Sequence, residues 1–288
     1  MVKLIADGGS TKTNWMLIDA KGRCIPILTQ GMNPYFQNDE TIQRVLRMEL
    51  IYPMRQEGVQ PDDVTHVHYY GAGVRDSQAE RFSALLHSAF PNALLGVASD
   101  LLAAARALFG SSPGIACILG TGSNSGLYDG KTITANVPPL GYILGDEGSG
   151  AVLGKRFIGA LFKGMLPENL KEEYLSDTGQ ELADVIDKVY RQPMPNRYLA
   201  AAAKFIKHHL DCEPLRLLVV DHFREFFRRN TALYQRPDLP LGAVGGIACH
   251  FQDLLAEAAA LEGATITKVM ERPIEPLATF HQHYPQTL

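Results

Sequence analysis

Seven residues near the N-terminus, Asp7-Gly8-Gly9-Ser10-Thr11-Lys12-Thr13, combine the groups that bind a phosphate. Glycines leave backbone N–H groups uncrowded, and hydroxyl and ammonium groups add donors, so Gly-rich turns with Ser and Thr recur at phosphate sites. The aspartate could hold Mg²⁺, usually through water. A tight hairpin turn is the structural alternative, although such turns rarely combine Lys with three hydroxyls. We interpret the run as a phosphate-binding loop.

A second run, Gly120-Thr121-Gly122-Ser123, follows the same logic without the acid. Two such runs, each expected at the tip of a hairpin, indicate a nucleotide clamped between two lobes.

Two further acidic positions precede predicted helices. Asp100 follows Ser99, which stands where an N-cap is expected, and Gly145-Asp146-Glu147-Gly148-Ser149 precedes an apolar helical pattern. Acids at a helix start are stabilised by the helix dipole whatever their function. Capping therefore remains an alternative to chemistry at both positions.

The histidine pairs His66/His68 and His281/His283 have a spacing that can bind metal, but no third ligand is near either pair in the sequence. We interpret them as surface or core histidines. The four cysteines contain no CxxC pair, which favours free thiols in a reducing cytoplasm.

Hydrophobic patterning predicts the elements that position these residues. Strands over 2–6 and 14–19 form a hairpin around the first Gly-rich run, and strands over 115–119 and 127–128 form one around the second. Both hairpins read strand, polar tip, strand, then an Asp and Gly turn. We interpret this as a diverged internal duplication, with one hairpin per lobe.

The remaining elements alternate between strand and helix in the first half and are mainly helical in the second. Further strands are predicted over 66–70, 94–98 and 239–244. Helices are predicted over 39–54, 78–90, 100–109, 151–163, 180–190, 198–210, 215–230 and about 250–261. The segment 265–288, which contains three prolines, has no clear assignment.

Bulk properties narrow the class. A chain of 288 residues with 46% hydrophobic and 20% charged residues fits an α/β protein of one large domain or two lobes. A net charge of −4 and no Lys/Arg-rich run exclude the usual footprint of a nucleic-acid binder. No 18-residue apolar stretch predicts a membrane span, and the short apolar start is no secretion signal, so a cytoplasmic protein is expected.

Taken in order, the motifs resemble the N-acetylglucosamine kinase branch of the BadF/BadG/BcrA/BcrD ATPase family, in the superfamily of actin, hexokinases and DnaK-type chaperones. The set comprises the two Gly-rich runs, Ser99-Asp100, the run 145–149 and Gly245-Gly246, and it spans about residues 5 to 250. The resemblance implies two ribonuclease-H-like lobes with an ATP cleft between them. The expected lobes are 1–110 and 111–269, with the tail 270–288 packing back onto the first.

The resemblance also implies roles for single residues. Asp100 matches the catalytic aspartate, the general base for the sugar hydroxyl. Asp7 would lie near Mg²⁺, Thr11 and the Gly8-Gly9 backbone would hold the terminal phosphates, and Gly245 and Gly246 would back the adenosine. The full expected ATP-binding set is Asp7, Gly8, Gly9, Ser10, Thr11, Lys12, Thr13, Gly120, Thr121, Gly122, Ser123, Gly245 and Gly246. The expected sugar contacts are Asn33, Asp100, Leu140, Gly141, Tyr142 and Asp146.

The function implied is ATP- and Mg²⁺-dependent phosphorylation of an amino sugar, N-acetylglucosamine or glucosamine, at the 6-hydroxyl, by an enzyme that relatives suggest is a homodimer. Animal-type relatives carry tryptophan where this chain has Leu140. One alternative is an ATPase of the same family that energises a protein partner through an iron–sulfur cluster, which needs grouped thiolates. Others are a sugar-sensing regulator and a polymer-forming or chaperone-like ATPase.

Overall fold

The computed structural model describes residues 1–9, 12–34, 37–71 and 77–284. The chain divides into two compact units. Unit 1 is Met1–Ser111 with Pro273–Leu288, and unit 2 is Ser112–Arg272. Each unit contains one five-stranded mixed sheet with helices, which is the two-lobed α/β fold expected.

Unit 1 is built on a sheet of order β3-β2-β1-β4-β5. Its strands are β1 (Val2–Gly8), β2 (Lys12–Ile18), β3 (Cys24–Gln30), β4 (Val64–Gly71) and β5 (Leu94–Ser99). The predicted hairpin is confirmed, since β1 pairs antiparallel with β2. Its strands run further than expected, so much of the predicted polar tip is itself strand. By contrast, β1 pairs parallel with β4, and β4 with β5.

Helices of unit 1 cover the sheet. They are α1 (Asp39–Val45), α2 (Tyr52–Gln56), α3 (Ser77–Ala89) and α4 (Asp100–Phe109). A π-helical segment, Leu46–Ile51, joins α1 to α2, so the helix predicted over 39–54 is confirmed with a local change of hydrogen bonding. Ser99 caps α4 by accepting the N–H of Leu102, as predicted.

Unit 2 is built on a sheet of order β10-β9-β6-β7-β8. Its strands are β6 (Gly114–Leu119), β7 (Ser123–Tyr128), β8 (Ile133–Ala135), β9 (Leu241–Val244) and β10 (Ile266–Met270). Read from the other edge, this order matches that of unit 1 strand for strand. In both sheets the first three strands in sequence are antiparallel and the last two are added in parallel, which supports the internal duplication.

The helices of unit 2 follow the predictions in most places. They are α5 (Gly141–Leu144), α6 (Gly150–Phe162), α7 (Glu168–Thr178), α8 (Leu182–Tyr190), α9 (Pro195–Ala201), α10 (Ala203–His208), α11 (Glu213–Arg229), α12 (Gly246–His250) and α13 (Gln252–Leu261). Over the part of the chain that the structure describes, every helix is too short or too polar to span a bilayer.

Three predictions for this region differ from the structure. The helix predicted over 198–210 breaks at Ala202, because the carbonyl of Leu199 packs against Gly154 and accepts the N–H of Ala202. Helix α7 was not predicted, since its mostly polar sequence buries only Leu170 and Tyr174. Strand β7 begins at Ser123 rather than at residue 127.

The C-terminal segment, which the sequence left unassigned, forms β10 and then α14 (Ile274–His283). Pro273 stands at the N-cap and Pro276 in the first turn, where a missing N–H costs no helical hydrogen bond. Helix α14 packs on α4, β1 and β2 within unit 1.

A buried basic cluster lies under α14. The rings of His68 and His281 stack with centroids 3.7 Å apart, and the Lys3 ammonium donates to the His281 carbonyl at 2.7 Å. The Tyr70 hydroxyl contacts His281 Nε2 at 2.7 Å and accepts from Arg106. Burial, together with the nearby charges of His66, Arg106 and Lys3, lowers the pKa of His68 to about 3 and that of His281 to about 2. Both histidines are therefore neutral at physiological pH.

This cluster makes unit 1 acid-sensitive. An unfolded histidine titrates near pH 6.5, so below that value the unfolded chain binds more protons than the folded chain and stability falls with pH. Neither ring nitrogen of His68 has a hydrogen-bond partner among the described residues, so His68→Phe loses no such bond. We expect it to remove about 2 kcal/mol of the stability loss between pH 7.5 and pH 5, measured by urea unfolding.

His87 is exposed on α3, so the matched His87→Asn variant should retain the wild-type pH dependence. An unchanged slope in His68→Phe would show that His68 does not contribute to the acid sensitivity.

Candidate active site

The two aspartates expected to do chemistry in unit 1 lie at the same edge of its sheet. In the register of the parallel strands, Asp7 pairs with Tyr70, and Tyr70 with Ala98. The next row is Gly8, Gly71 and Ser99, and Asp100 follows directly as the first residue of α4. Neighbouring strands lie ~4.8 Å apart, so two strand spacings separate the aspartates. The carboxyl edge of parallel strands is where α/β proteins bind ligands.

Each of the two carboxylates is half-buried. Asp100 Oδ1 accepts the N–H of Leu101 at 2.8 Å, and the positive end of the α4 dipole favours its charged form. The N-cap of α4 is Ser99, so the side chain of Asp100 does not serve as the cap.

Tyr69 lies between these acids and the loop of Asn33. Burial raises the pKa of its phenol, and the negative charges of Asp7 and Asp100 raise it further. The hydroxyl therefore stays protonated, and it donates to the carbonyl of Met32 at 2.9 Å. That bond fixes the chain beside Asn33, a residue that is only 8% exposed.

The loop around Asn33 is held by side chains on both flanks. The N–H of Asn33 donates to Gln37 Oε1 at 2.9 Å. Arg81 on α3 donates to the carbonyls of Pro34 and Gln37 and pairs with Asp39. The guanidinium thus joins two carbonyls of the loop to the first residue of α1. The sequence did not reveal this role of Arg81.

The first Gly-rich run is partly described. Gly8 packs against Tyr69 so closely that a β-carbon would lie 2.3 Å from the phenol oxygen, and the N–H of Gly9 donates to the carbonyl of Lys12 at 2.9 Å. The side chain of Lys12 is exposed and that of Thr13 is buried. Ser10 and Thr11 lie outside the described residues, and with them the phosphate contact predicted for the Thr11 side chain.

The second Gly-rich run is a loop fixed to α6 in unit 2. The N–H of Gly120 donates to the carbonyl of Gly122 at 2.9 Å. The carbonyls of Gly120 and Thr121 accept from Gly150 and Ala151 at 2.8 and 3.1 Å. We call residues 120–123 the second loop.

Gly245 supports this loop from behind. Its φ of 126° lies where side-chain-bearing residues are strained, and a β-carbon there would lie 2.3 Å from the carbonyl oxygen of Leu119. Its N–H donates to Met270 at 2.9 Å. Gly246 begins α12 and has no such crowding, since the nearest side-chain atom to a β-carbon would be 3.6 Å away.

A cavity of about 710 Å³ opens beside the second loop, entirely within unit 2. Its walls come from the loop, α9, α10 and α12. They comprise Gly120, Thr121, Ala200, Ala201, Ala203, Lys204, Lys207, His208, Gly246, Ile247, His250 and Phe251. The cavity thus brings three predicted ATP-binding glycine and threonine positions together.

Several of these wall residues were missed by sequence reasoning. In the sequence the alanine run at 200–203 indicates close helix packing and no more, yet three of its members line the cavity, and Lys204 and Lys207 add positive charge. Small side chains leave room for a ligand, and cations suit an anionic one. The run of small side chains is visible in the sequence. The break of the helix at Ala202, which lets the run face the second loop, is not.

The expected sugar-contact residues of unit 2 meet at Asp146. Leu140 adopts a left-handed conformation (φ 64°) and is 62% exposed, and Asp146 also has positive φ (52°). Backbone N–H groups of Ser123 and Gly141 hydrogen-bond to the Asp146 carboxyl group. Ser149, not Asp146, caps α6, so the carboxylate is not used for capping.

The charged form of Asp146 is destabilised relative to its neutral acid. Burial and the negative charge of Glu147 raise its pKa. The two backbone hydrogen bonds and Lys155 lower it, and the net result is a pKa of about 6. Groups held in a costly ionisation state concentrate at functional sites.

Solved structures match the chain, whereas no protein-family model and no curated protein does. A candidate N-acetylglucosamine kinase from Porphyromonas gingivalis is 46% identical, with a TM-score of 0.91, over 97% of this chain and 98% of that one. A candidate N-acetylglucosamine kinase from Chromobacterium violaceum is 20% identical, with a TM-score of 0.79, over 97% and 98%.

A more distant match is a non-polymerising variant of MamK bound to AMPPNP, at 11% identity and a TM-score of 0.57, over 98% of both chains. At such low identity the last two matches show the fold alone.

The contrast between Gly245 and Gly246 can be tested directly. Gly245→Ala forces a methyl group into the Leu119 carbonyl at a strained φ, and we expect it to lower the unfolding free energy by about 2–4 kcal/mol. The matched Gly246→Ala should change it by less than about 1 kcal/mol. Urea unfolding of both variants measures this, and equal effects would contradict the packing described.

The raised pKa of Asp146 predicts a pH-dependent cost. Between pH 4 and pH 6 the folded protein binds more protons at this group than the unfolded chain does, so its ionisation lowers stability as pH rises. Asp146→Asn removes the charge, so its Tm should exceed that of the wild type by about 2–4 °C at pH 7.5, an allowance for partial solvent screening. The difference should shrink as pH falls from 6 and vanish below about pH 4. A lower Tm for the variant at pH 7.5 would contradict this assignment.

Proposed function

We propose that this chain, which belongs to the N-acetylglucosamine kinase branch of the BadF/BadG/BcrA/BcrD ATPase family, phosphorylates an amino sugar with ATP. The general activity, that of a sugar kinase, follows from the family. The finer proposal is that the acceptor is N-acetylglucosamine or glucosamine and that its 6-hydroxyl is phosphorylated.

One observation carries the proposal. The parallel register of unit 1 brings Asp7 and Asp100 to one edge of the sheet, with Tyr69 linking that edge to the loop of Asn33. A metal-binding carboxylate, a general base and a sugar-contact loop are the groups that a sugar kinase needs in its acceptor half.

Asp100 is the proposed general base. Leu101 N–H and the α4 dipole keep its carboxylate charged, and the rigid start of a ten-residue helix fixes its position. It would align the sugar hydroxyl and accept its proton, which is usually worth ~10²–10⁴-fold in rate. Asn33, fixed through Met32 and Gln37, would hold the sugar in register with that base.

Unit 2 suits the nucleotide. The cavity of about 710 Å³ is within the range of cofactor sites, and its wall combines the second loop, small residues and cations. We propose that Thr121, Gly122 and Ser123 bind phosphate, and that Gly246 and the alanines of α9 leave space for adenosine. ATP supplies the phosphoryl group when bound.

Asp7 is the proposed Mg²⁺ residue. Mg²⁺ keeps several waters and takes one or two carboxylates together with substrate phosphates, so a single half-buried aspartate beside a Gly-rich turn fits that need. The same turn supplies the first phosphate contacts in the proposal, from Gly8, Gly9, Lys12 and Thr13 and from Ser10 and Thr11.

Leu140, Gly141 and Tyr142 are the proposed sugar contacts of unit 2. The exposed leucine offers an apolar surface to a sugar ring, a role for which relatives use tryptophan. A homodimer is part of the proposal by resemblance, and the four free cysteines suit a reducing compartment.

A coupled ADP-release assay with Mg·ATP tests the function. Glucosamine, N-acetylglucosamine, N-acetylmannosamine, glucose and a blank without sugar form the panel. We expect turnover that depends on an amino sugar, with a kcat in Asp100→Asn lower by ~10²–10⁴-fold. Phosphorus-31 NMR of the product identifies the phosphorylated hydroxyl.

The matched control is Asp253→Asn, which removes an exposed aspartate from the first turn of α13 and should leave kcat unchanged. Slow ADP release that ignores every sugar and is indifferent to Asp100→Asn would overturn the sugar-kinase proposal in favour of a partner-energising ATPase.

A further inference from the structure

Asp146 is held in place by backbone bonds on both sides. Its N–H donates to the carbonyl of Pro139 at 2.7 Å, and its carbonyl accepts from Ser149 at 3.0 Å. The turn also requires Gly145, where a β-carbon would lie 2.1 Å from the Pro139 carbonyl oxygen. The carboxyl group of Asp146 therefore projects from a rigid support.

That carboxyl group packs against the second loop. Its Oδ2 lies 3.1 Å from where a β-carbon of Gly122 would stand, and the N–H of the next residue, Ser123, hydrogen-bonds to it. A side chain at position 122 would separate the two. Gly122 is thus needed for this contact as well as for an open phosphate-binding backbone.

The same carboxyl group binds the start of α5. The N–H of Gly141, in the proposed sugar-contact segment, is its second backbone donor. One acidic side chain consequently joins two segments that the proposed function assigns to different substrates.

We propose that Asp146 is a positioning residue that couples the second loop to the Leu140–Tyr142 segment, so that nucleotide affinity depends on its carboxylate even when no sugar is bound. The inference rests on the proposed function and adds to the sugar contact already expected at this position.

The chemistry of the side chain explains why the carboxylate is needed. Hydrogen bonds to an ionised carboxylate are roughly twice as strong as those to a neutral amide oxygen. Asp146→Asn therefore weakens the contacts with both N–H donors. The loop itself stays attached to α6 through the carbonyls of Gly120 and Thr121, so the variant should fold while the loop shifts.

Ionisation gives an independent measure. The neutral acid is likewise a weaker acceptor than the carboxylate, so protonation of Asp146 should mimic the substitution. The charged groups that act on it are Glu147 beside it, which favours protonation, and Lys155 on α6, which opposes it. With a pKa of about 6, the coupling is complete above pH 7 and is lost as pH falls below 6.

The test is isothermal titration with Mg·ADP in the absence of sugar, on wild type, Asp146→Asn and Asp129→Asn. Asp129 is a matched control, since its carboxylate also accepts two backbone N–H groups, from Lys131 and Thr132, but in an exposed turn. We expect the Kd of Asp146→Asn to rise about tenfold, because both charge-assisted hydrogen bonds are weakened, and that of Asp129→Asn to stay unchanged.

The pH dependence completes the experiment. The wild-type Kd should rise between pH 7.5 and pH 5.5, and that of Asp146→Asn should change less over the same range. A sugar-free Kd and pH profile that are identical in wild type and Asp146→Asn would overturn the inference and leave Asp146 as a sugar contact only. Wild type that binds no Mg·ADP at any pH would instead overturn the proposed function.

Discussion

The unbroken parallel register of β1, β4 and β5 is the constraint on which the chemistry of unit 1 depends. From Lys3 to Gly8 each residue of β1 faces a fixed partner on β4, and β4 passes the register to β5. A slip of one residue would turn Asp7 to the opposite face of the sheet. The apolar residues buried on both faces of these strands oppose such a slip, because it would exchange the side chains packed on the two faces. The packing of the core therefore fixes the position of Asp7.

In unit 2 the parallel strands likewise determine which residues lie at the carboxyl edge of the sheet. Its parallel strands end at Leu119, Val244 and Met270. Gly120 and Gly245 follow the first two strands and pack backbone against backbone, and the N–H of Gly245 donates to the carbonyl of Met270. Where unit 1 presents acids at this edge, unit 2 presents uncrowded amides and a cavity. One ancestral strand order therefore supports two kinds of chemistry, since the order fixes where an edge lies and the residues after each strand decide what that edge does.

Local patterns in the sequence were enough to predict both hairpins, their duplication and the capped helix at Asp100. These features depend on neighbours within a few residues, where hydrophobic period and capping act. What escaped prediction depends on distant partners. Three contacts join residues that are far apart in the chain. They are the stacking of His68 on His281, the hydrogen bonds of Arg81 to the Asn33 loop, and the contact of Asp146 with Gly122. The break at Ala202 likewise comes from Gly154, on another helix, and no local rule encodes it.

The docking of α14 on α4, β1 and β2 has a consequence for biosynthesis. The sheet of unit 1 leaves the ribosome first, yet the helix that covers His68 and Lys3 is encoded after all of unit 2. Unit 2 is continuous and has its own hydrophobic core, so it can fold while the nascent first unit still exposes a basic, partly apolar face. Completion of unit 1 therefore follows the synthesis of all of unit 2, and a chain stalled or cleaved before residue 273 would carry a folded second unit and an open first one.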